Sequence, residues 1–188
     1  MKETKAINFQ ERSAVKSNNK NQISKTLMNL FIDDLEDIYW VEKCLVQTLP
    51  KIYDDATDLK LKCAIKKHLE RTLEQVKRLD VIFESLKIKV KVKKCKPIDL
   101  LINDSDINLK TIKSGAVKDA SIIAVSQKIK HYEIASYGIL AAFAKSLKQN
   151  SALELLLLNL EVQKKSNAIL TAIADDNLNL QAALENLD

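Results

Sequence analysis

Apolar side chains recur every three or four residues over most of this chain, and that spacing predicts long amphipathic helices. The first stripe consists of Leu27, Phe31, Leu35, Ile38, Glu42, Leu45 and Leu49. It predicts a helix from Ser24 to about Ala56, which Pro50 either bends or ends. The second stripe consists of Leu61, Ile65, Leu69, Thr72, Val76, Leu79, Phe83 and Leu86. Because Thr57 or Asp58 can cap its start, a second long helix is expected there.

The second half of the chain repeats this pattern. A third long helix is predicted from about Ala116 to Lys148, and a fourth from about Ser151 to Ala174. The stripe of the third helix includes Ile129, Glu133, Ser136, Leu140, Phe143 and Leu147. The face of the fourth includes Leu153, Leu156, Leu160, Gln163, Asn167, Leu170 and Ala174. Four long helices with short breaks favour a globular helical bundle over an extended coiled coil.

The segments between and beyond these helices are less regular. Lysine and valine alternate within Lys87–Val92, but a strand needs a partner, so an extended connector is predicted. Pro97 can open a short helix from Ile98 to about Asn103. The predicted organisation is a flexible basic and polar arm over residues 1–23, a helical bundle over 24–176, and a C-terminal tail over 177–188 that forms at most a frayed turn or two.

Composition supports the helical prediction and excludes several classes of protein. Two glycines and two prolines in 188 residues are too few for a turn-rich or strand-rich fold, and 46% apolar residues exclude global disorder. The longest apolar run, Leu155–Leu158, cannot cross a membrane. Since the first residues are polar and contain no signal-peptide core, a cytoplasmic location is expected.

The net charge of +5 raises the question of an anionic partner. The basic residues concentrate in the N-terminal arm and in Lys87–Lys96, where nucleic acid could bind. No aromatic residue interrupts that lysine segment to stack on bases, so a solvated connector is the favoured interpretation. Cys44, Cys63 and Cys95 contain no CxxC pair and are expected to be reduced thiols.

Several polar residues fall on the predicted buried faces. Counting back from the expected turns near residues 57 and 149 places six of them at similar depth: Glu42, Thr72, Gln75, Glu133, Gln163 and Asn167. A buried carboxylate must be paired, protonated or bound to a metal, because an isolated buried charge is costly. The pattern therefore predicts a polar layer inside the bundle.

Three segments carry a resemblance to a known family: LFIDDLEDIYWVEK (Leu30–Lys43), HLERTLEQVKRLD (His68–Asp80) and KIKHYEIASYGIL (Lys128–Leu140). They resemble the YciE/YciF family of bacterial stress-associated, ferritin-like proteins. The resemblance implies an all-α, ferritin-like antiparallel four-helix bundle with a short extra helix between the second and third long helices. It also implies a homodimer. Ferritin-like and rubrerythrin-like relatives hold two metal ions in such a bundle.

The resemblance also suggests which residues would form that metal site. Glu42 and Glu133 match single-carboxylate positions, whereas Gln75 stands where family members commonly have His. Lys130 stands where they commonly have Glu, and amides occupy usually acidic positions of the fourth helix. The implied site is vestigial: Glu42, Gln75, Glu133, Gln163 and Asn167. The Lys130 ammonium either substitutes for metal charge beside Glu133 or Glu42, or extends to solvent.

Three functions follow from these observations. The favoured one is a non-enzymatic, stress-associated ferritin-like protein with a degenerate metal site and no cofactor. The alternative is a di-iron or other metal-binding oxidoreductase or iron-handling protein. A nucleic-acid or partner-binding module acting through the arm and Lys87–Lys96 ranks third. His68 and His131 are predicted to have ordinary packing or surface roles, and Tyr39, Tyr132 and Tyr137 to be core aromatic residues.

Overall fold

A computed structural model describes residues 25–185, and all regular secondary structure within that range is helical. The helices are α1 (Leu27–Asp55), α2 (Leu59–Ser85), α3 (Lys96–Thr111), α4 (Ala116–Ser146), α5 (Asn150–Ile173), a π-helical segment (Ala174–Leu178) and α6 (Asn179–Leu184). The all-α prediction is confirmed. The predicted arm, residues 1–23, lies outside the described residues.

Local signals in the sequence set the starts of the first two helices. Thr26 caps α1 reciprocally with Asn29: the Asn29 N–H donates to Thr26 Oγ1 at 3.1 Å, and the Thr26 N–H donates to Asn29 Oδ1 at 3.0 Å. α1 therefore begins at Leu27 rather than at Ser24, and it continues through Pro50. Asp58 caps α2 by accepting the Leu61 N–H at 2.8 Å.

The four longest helices surround one apolar core. α1 packs on α2 and α4, and α5 packs on the same two helices. Because only three residues join α1 to α2 and α4 to α5, each connected pair reverses direction. The core residues with almost no exposure include Phe31, Leu35, Ile38, Leu61, Leu79, Ile82, Ile122, Leu140 and Leu156.

A buried carboxylate holds the turn between α1 and α2. Asp119 of α4 is 1% exposed and accepts hydrogen bonds from the Thr57 N–H (2.8 Å), the Thr57 hydroxyl (2.5 Å) and the Asp58 N–H (2.8 Å). The turn is thereby fastened to the N-terminal part of α4. This contact brings α1, α2 and α4 together at one end of the molecule.

The connector and α3 differ in part from the sequence-based expectation. Residues 88–95 are not helical, and the Lys91 N–H donates to Glu36 Oε1 at 2.9 Å. The helix predicted to end near Asn103 instead extends over sixteen residues to Thr111. No proline or glycine follows Pro97 before Gly115, so nothing local ends the helix earlier. Ile98 and Leu109 are buried, and α3 packs on α4.

Helical structure continues into the C-terminal region as far as Leu184. Ala174 and Leu178 are buried and continue the apolar spacing of Leu170, so the helical run passes the predicted boundary at residue 176. α6 packs on α4, and Glu185 Oε2 accepts the Val117 N–H at 2.7 Å. No helix within residues 25–185 is both long enough and apolar enough to cross a lipid bilayer.

Candidate functional site

Polar side chains from four helices meet in the middle of the apolar core. None of them is more than 8% exposed: Glu42 of α1; His68, Thr72 and Gln75 of α2; Lys130, Glu133 and Tyr137 of α4; and Asn159 and Gln163 of α5. We refer to this set as the central polar cluster. Buried polar groups destabilise a fold unless they find hydrogen-bonding or ionic partners. The bonding within the cluster therefore decides what it can do.

Lys130 organises one half of the cluster. Its Nζ donates to Glu133 Oε2 at 2.8 Å and to Gln163 Oε1 at 2.5 Å, and it also contacts His68 Nε2. An ammonium group has three donors and no acceptor, so these three acceptors account for all its hydrogen bonds. His68 Nε2 must therefore accept, which places the imidazole proton on Nδ1. Lys130 does not extend to solvent, since it is fully buried.

The surroundings of His68 keep its ring neutral. Burial, followed by the charges of Lys130 and Arg71, holds the pKa of His68 well below its ordinary value of 6.5. An imidazolium ion would place a second positive charge against the Lys130 ammonium. The geometry and the direction of the pKa shift thus agree that His68 is an uncharged hydrogen-bond acceptor.

Gln163 connects the carboxylate of α4 to α2. Its Nε2 donates to Glu133 Oε1 at 2.9 Å and to Gln75 Oε1 at 3.1 Å. Both oxygens of Glu133 are therefore satisfied, one by Lys130 and the other by Gln163. Charge-assisted hydrogen bonds of this kind are stronger than neutral ones, so Glu133 is stabilised as a carboxylate more strongly than Glu42.

The second carboxyl group, Glu42, is held in a different state. Tyr137 donates its hydroxyl to Glu42 Oε1 at 2.6 Å. Burial, followed by the proximity of Glu133, raises the pKa of Glu42 well above 4.5. The raised pKa favours the protonated form of Glu42, whereas the neighbouring carboxylate, Glu133, is paired with Lys130. Burial and the neighbouring Glu42 likewise raise the pKa of Tyr137 well above 10, so Tyr137 stays a phenol.

The structure brings together most of the residues selected from the sequence. Glu42, Gln75, Glu133, Gln163 and Lys130 all lie in the cluster, but Asn167 is only partly buried and is not a member. The second amide that α5 adds, besides Gln163, is the fully buried Asn159, one turn before Gln163 instead of one turn after it. Its Oδ1 accepts from Arg78 Nη1 at 3.0 Å. Counting residues from the turn was accurate only to about one helical turn.

Sequence reasoning missed three members of the cluster. The sequence predicts an ordinary packing or surface role for His68 and does not select Asn159. It predicts Tyr137 as a core aromatic residue, which its burial confirms, but not its hydroxyl bond to Glu42. A signal for His68 was present, because His68, Thr72 and Gln75 are spaced by four and three residues and share one helical face. His131, the other histidine, is exposed, and its ring nitrogen Nδ1 bonds to the Gln127 carbonyl oxygen at 2.8 Å.

The arrangement around Lys130 Nζ uses the donor types of a metal site. A carboxylate oxygen, an amide oxygen and an imidazole nitrogen converge on one point, which the ammonium group occupies. Within residues 25–185, no three His, Cys, Asp or Glu side chains are grouped closely enough to hold a metal ion. The bonds of the cluster pair Lys130 with Glu133 and join α1, α2, α4 and α5 through directional contacts.

Comparisons with known proteins give a consistent result. The profile of a family described as a domain of unknown function, DUF892, matches residues 26–183. YciF of Escherichia coli strain K12 is 38% identical over 159 residues, which cover 84% of this chain and 96% of YciF. The crystal structure of the E. coli stress protein YciF matches with a TM-score of 0.78 at 38% identity, covering 82% of this chain and 98% of that one.

Two further structures resemble the fold. YcfI from Rhodopseudomonas palustris, for which a structural role has been suggested, matches with a TM-score of 0.76 at 37% identity. That match covers 78% of this chain and 94% of YcfI. A protein from Xanthomonas campestris pv. campestris matches with a TM-score of 0.66 at 16% identity, covering 85% of this chain and 96% of that one, and is similar in fold alone.

Proposed function

We propose that this chain, which belongs to the DUF892 family and is a homologue of E. coli YciF, is a non-enzymatic, stress-associated protein with a degenerate metal site. The stress association is drawn from E. coli YciF, which is described as a stress protein. The structural role suggested for the R. palustris relative agrees with it. The proposed scaffold is a ferritin-like antiparallel four-helix bundle of α1, α2, α4 and α5, with α3 as the additional helix.

The observation that carries the proposal is the position of Lys130. Di-iron bundles use about four carboxylates and two histidines, whose negative charge offsets that of the metals. The central polar cluster offers two carboxylates and one histidine, and the ammonium of Lys130 lies among the donors. A cation placed beside Lys130 Nζ would be repelled. We infer that these residues do not fit a di-iron centre and that Lys130 supplies the positive charge instead.

A second function, iron handling or a metal-dependent oxidation, is favoured by one observation. Glu42, Glu133 and His68 lie in the same buried layer, and all three are metal-ligand types. This alternative requires Lys130 to leave its three acceptors, and it requires Glu42 to act as a carboxylate although burial favours its protonated form. Both changes work against the bonding described above, so we rank the alternative second.

The proposal also includes a homodimer and gives nucleic-acid binding the lowest rank. A homodimer is proposed from the family resemblance, and Leu157 and Leu158 of α5, which are 47% and 53% exposed, are candidates for its interface. Nucleic-acid binding ranks last. The lysines of the 87–96 segment are exposed, as a solvated connector requires, and none of the residues 87–96 is aromatic.

Metal analysis tests the proposal directly. The wild-type protein is purified with added ferrous iron under anaerobic conditions, and bound metal is measured by mass spectrometry together with ferroxidase activity. We expect much less than one iron per chain and no activity. The double variant K130E/Q75H restores the residues that the family commonly has at these positions, and it should gain bound metal. Lys128→Glu, at an exposed position of the same helix, is the matched control and should gain none.

The iron content of the wild-type protein can by itself overturn the proposal. Two iron ions per wild-type chain, with turnover of ferrous iron, would overturn the metal-free function and establish the second candidate. Circular dichroism and cooperative urea unfolding confirm that each variant is folded before its metal content is interpreted.

A further inference from the structure

A partly open cavity of about 290 Å³ lies between α2, α4 and α5, beside the central polar cluster. Its buried side is formed by His68 and Lys130, and its exposed side includes Cys63 and Lys67. We call it the α2/α4/α5 cavity. Its volume is near the lower end of the roughly 300–1,000 Å³ that is typical of small-molecule sites. It is large enough for a small organic ligand.

The wall of this cavity is mainly apolar. The side chains responsible are Ala64 and Ile65 of α2 and Ile169, Leu170 and Ile173 of α5. Ile169 is 38% exposed. Covering such a surface with a hydrocarbon chain is favourable at roughly 25 cal/mol for each Å² removed from water. The wall therefore suits the apolar part of a ligand.

The charges that line the cavity are all positive. Lys60, Lys67, Arg71 and Lys130 contribute to the lining, which contains no Asp or Glu. Lys60 pairs with Asp176 and Lys130 pairs with Glu133. Among residues 25–185, neither Lys67 nor Arg71 is found in an ion pair. Two uncompensated cations therefore stand beside an apolar wall.

Arg71 is placed to bind an anion in a defined orientation. Its Nη1 donates to Ser166 Oγ at 3.0 Å, which spans from α2 to α5 and fixes the guanidinium at the cavity. A guanidinium has five N–H donors, so the bond to Ser166 leaves others available. Arginine binds carboxylates through two parallel hydrogen bonds, which are stronger than neutral ones.

A second groove on the protein lacks the excess of positive charge that the α2/α4/α5 cavity has. It has a comparable volume, about 330 Å³, and lies between α1 and α2. Its charged lining residues are Asp54 and Lys66, one of each sign. Lys66 and Lys67 are adjacent and both exposed, but they line different grooves. The excess of positive charge is thus a property of the α2/α4/α5 cavity and not of every groove on α2.

We propose that the α2/α4/α5 cavity binds a small organic monoanion with an apolar tail, such as a medium-chain carboxylate. The carboxylate bonds to the Arg71 guanidinium with Lys67 nearby, and the tail lies along Ile169 and Ile173. This proposal goes beyond the metal-free function. It rests on the cavity and needs no change in the central polar cluster, so iron content and ligand binding are separate tests.

The test uses octanoate as the probe and full-length protein, with calorimetric titration as the readout. Octylammonium and octanol carry the same tail with a positive or no charge, and acetate carries the head without the tail. We expect octanoate to bind and the other three to bind at least about tenfold more weakly, since each lacks one of the two complementary features. The variant K67Q/R71Q should weaken octanoate binding about tenfold or more. The matched control K66Q should bind as the wild type does.

A second readout locates the ligand. Cys63 is exposed and lines the cavity, so octanoate should slow its reaction with a thiol reagent, with C63S giving the background from the other cysteines. The proposal is overturned if octanoate does not bind, or if octylammonium binds equally well. Unchanged affinity in a folded K67Q/R71Q variant would also overturn it, as would equal weakening by K66Q.

Discussion

Replacing Lys130 by methionine removes the charge at the centre of the cluster while nearly preserving the volume of the side chain. The change leaves the Glu133 carboxylate without its cation, and it leaves Gln163 Oε1 and His68 Nε2 without a donor. Removing one partner of a buried ion pair typically costs about 3–5 kcal/mol. Because methionine fills the space, the cost of a cavity adds little. We expect a loss of about 3–5 kcal/mol in the free energy of unfolding at pH 7.

Urea unfolding followed by circular dichroism measures this loss, and a double-mutant cycle assigns its cause. The variant K130M/E133Q removes both charges, so it should lose less stability than K130M or E133Q alone. Lys128→Met changes an exposed lysine of the same helix and should stay within about 0.5 kcal/mol of wild type. A K130M variant within about 1 kcal/mol of wild type would refute the reasoning. A double variant whose loss equals the sum of the two single losses would also refute it.

Three further predictions concern neighbouring groups. Since the pKa of Glu42 is raised above 4.5, its contribution to stability is present below about pH 4.5 and is lost as pH rises towards the folded-state pKa. Glu42→Gln mimics the protonated acid, so urea unfolding measured between pH 4 and 8 should no longer show this loss of stability with rising pH. An unchanged pH dependence would contradict the raised pKa of Glu42. The pKa of His68 is held below 6.5, so its contribution is full above about pH 6.5 and is lost as pH falls. His68→Gln should flatten this acidic loss in the same measurement, and an equally steep loss would argue against a neutral buried ring. Asp119→Ala removes three hydrogen bonds to the α1–α2 turn and should lower the free energy of unfolding by about 3 kcal/mol. Loss of the Asp58 cap should lower it by only about 1 kcal/mol. Equal losses in urea unfolding would argue against the proposed role of Asp119 in holding the turn.

Agreement between sequence and structure is best where the determining interactions are local. The apolar spacing places α1, α2, α4 and α5 close to their observed bounds because one face of each helix must be buried. Asp58, one of the two predicted caps, does cap α2. The length of α3 was underestimated. Its polar residues weaken the apolar pattern, and its packing on α4 through Ile98 and Leu109 cannot be read from local sequence.

Predicting the residues of the candidate site requires more knowledge of how the helices pack than predicting the helices themselves does. The positions of Glu42 and Glu133 on buried faces follow from periodicity alone. The choice of Asn159 over Asn167 depends on how far α5 is shifted along α4, which spacing defines only to about one turn. The role of His68 depends on the rotation of α2 about its own axis. That rotation is set by packing against two other helices.

The amino-acid pattern by itself determined that this chain is helical, that its helices have buried polar positions, and that those positions include carboxylates. Burial of apolar faces is enough to require this, whatever the exact packing. Only the tertiary structure decided that Lys130 points inward, that its three donors meet His68, Glu133 and Gln163, and that burial favours the protonated form of Glu42. Hydrogen bonds and charge interactions act over a few ångströms, so they depend on the final positions of side chains from different helices.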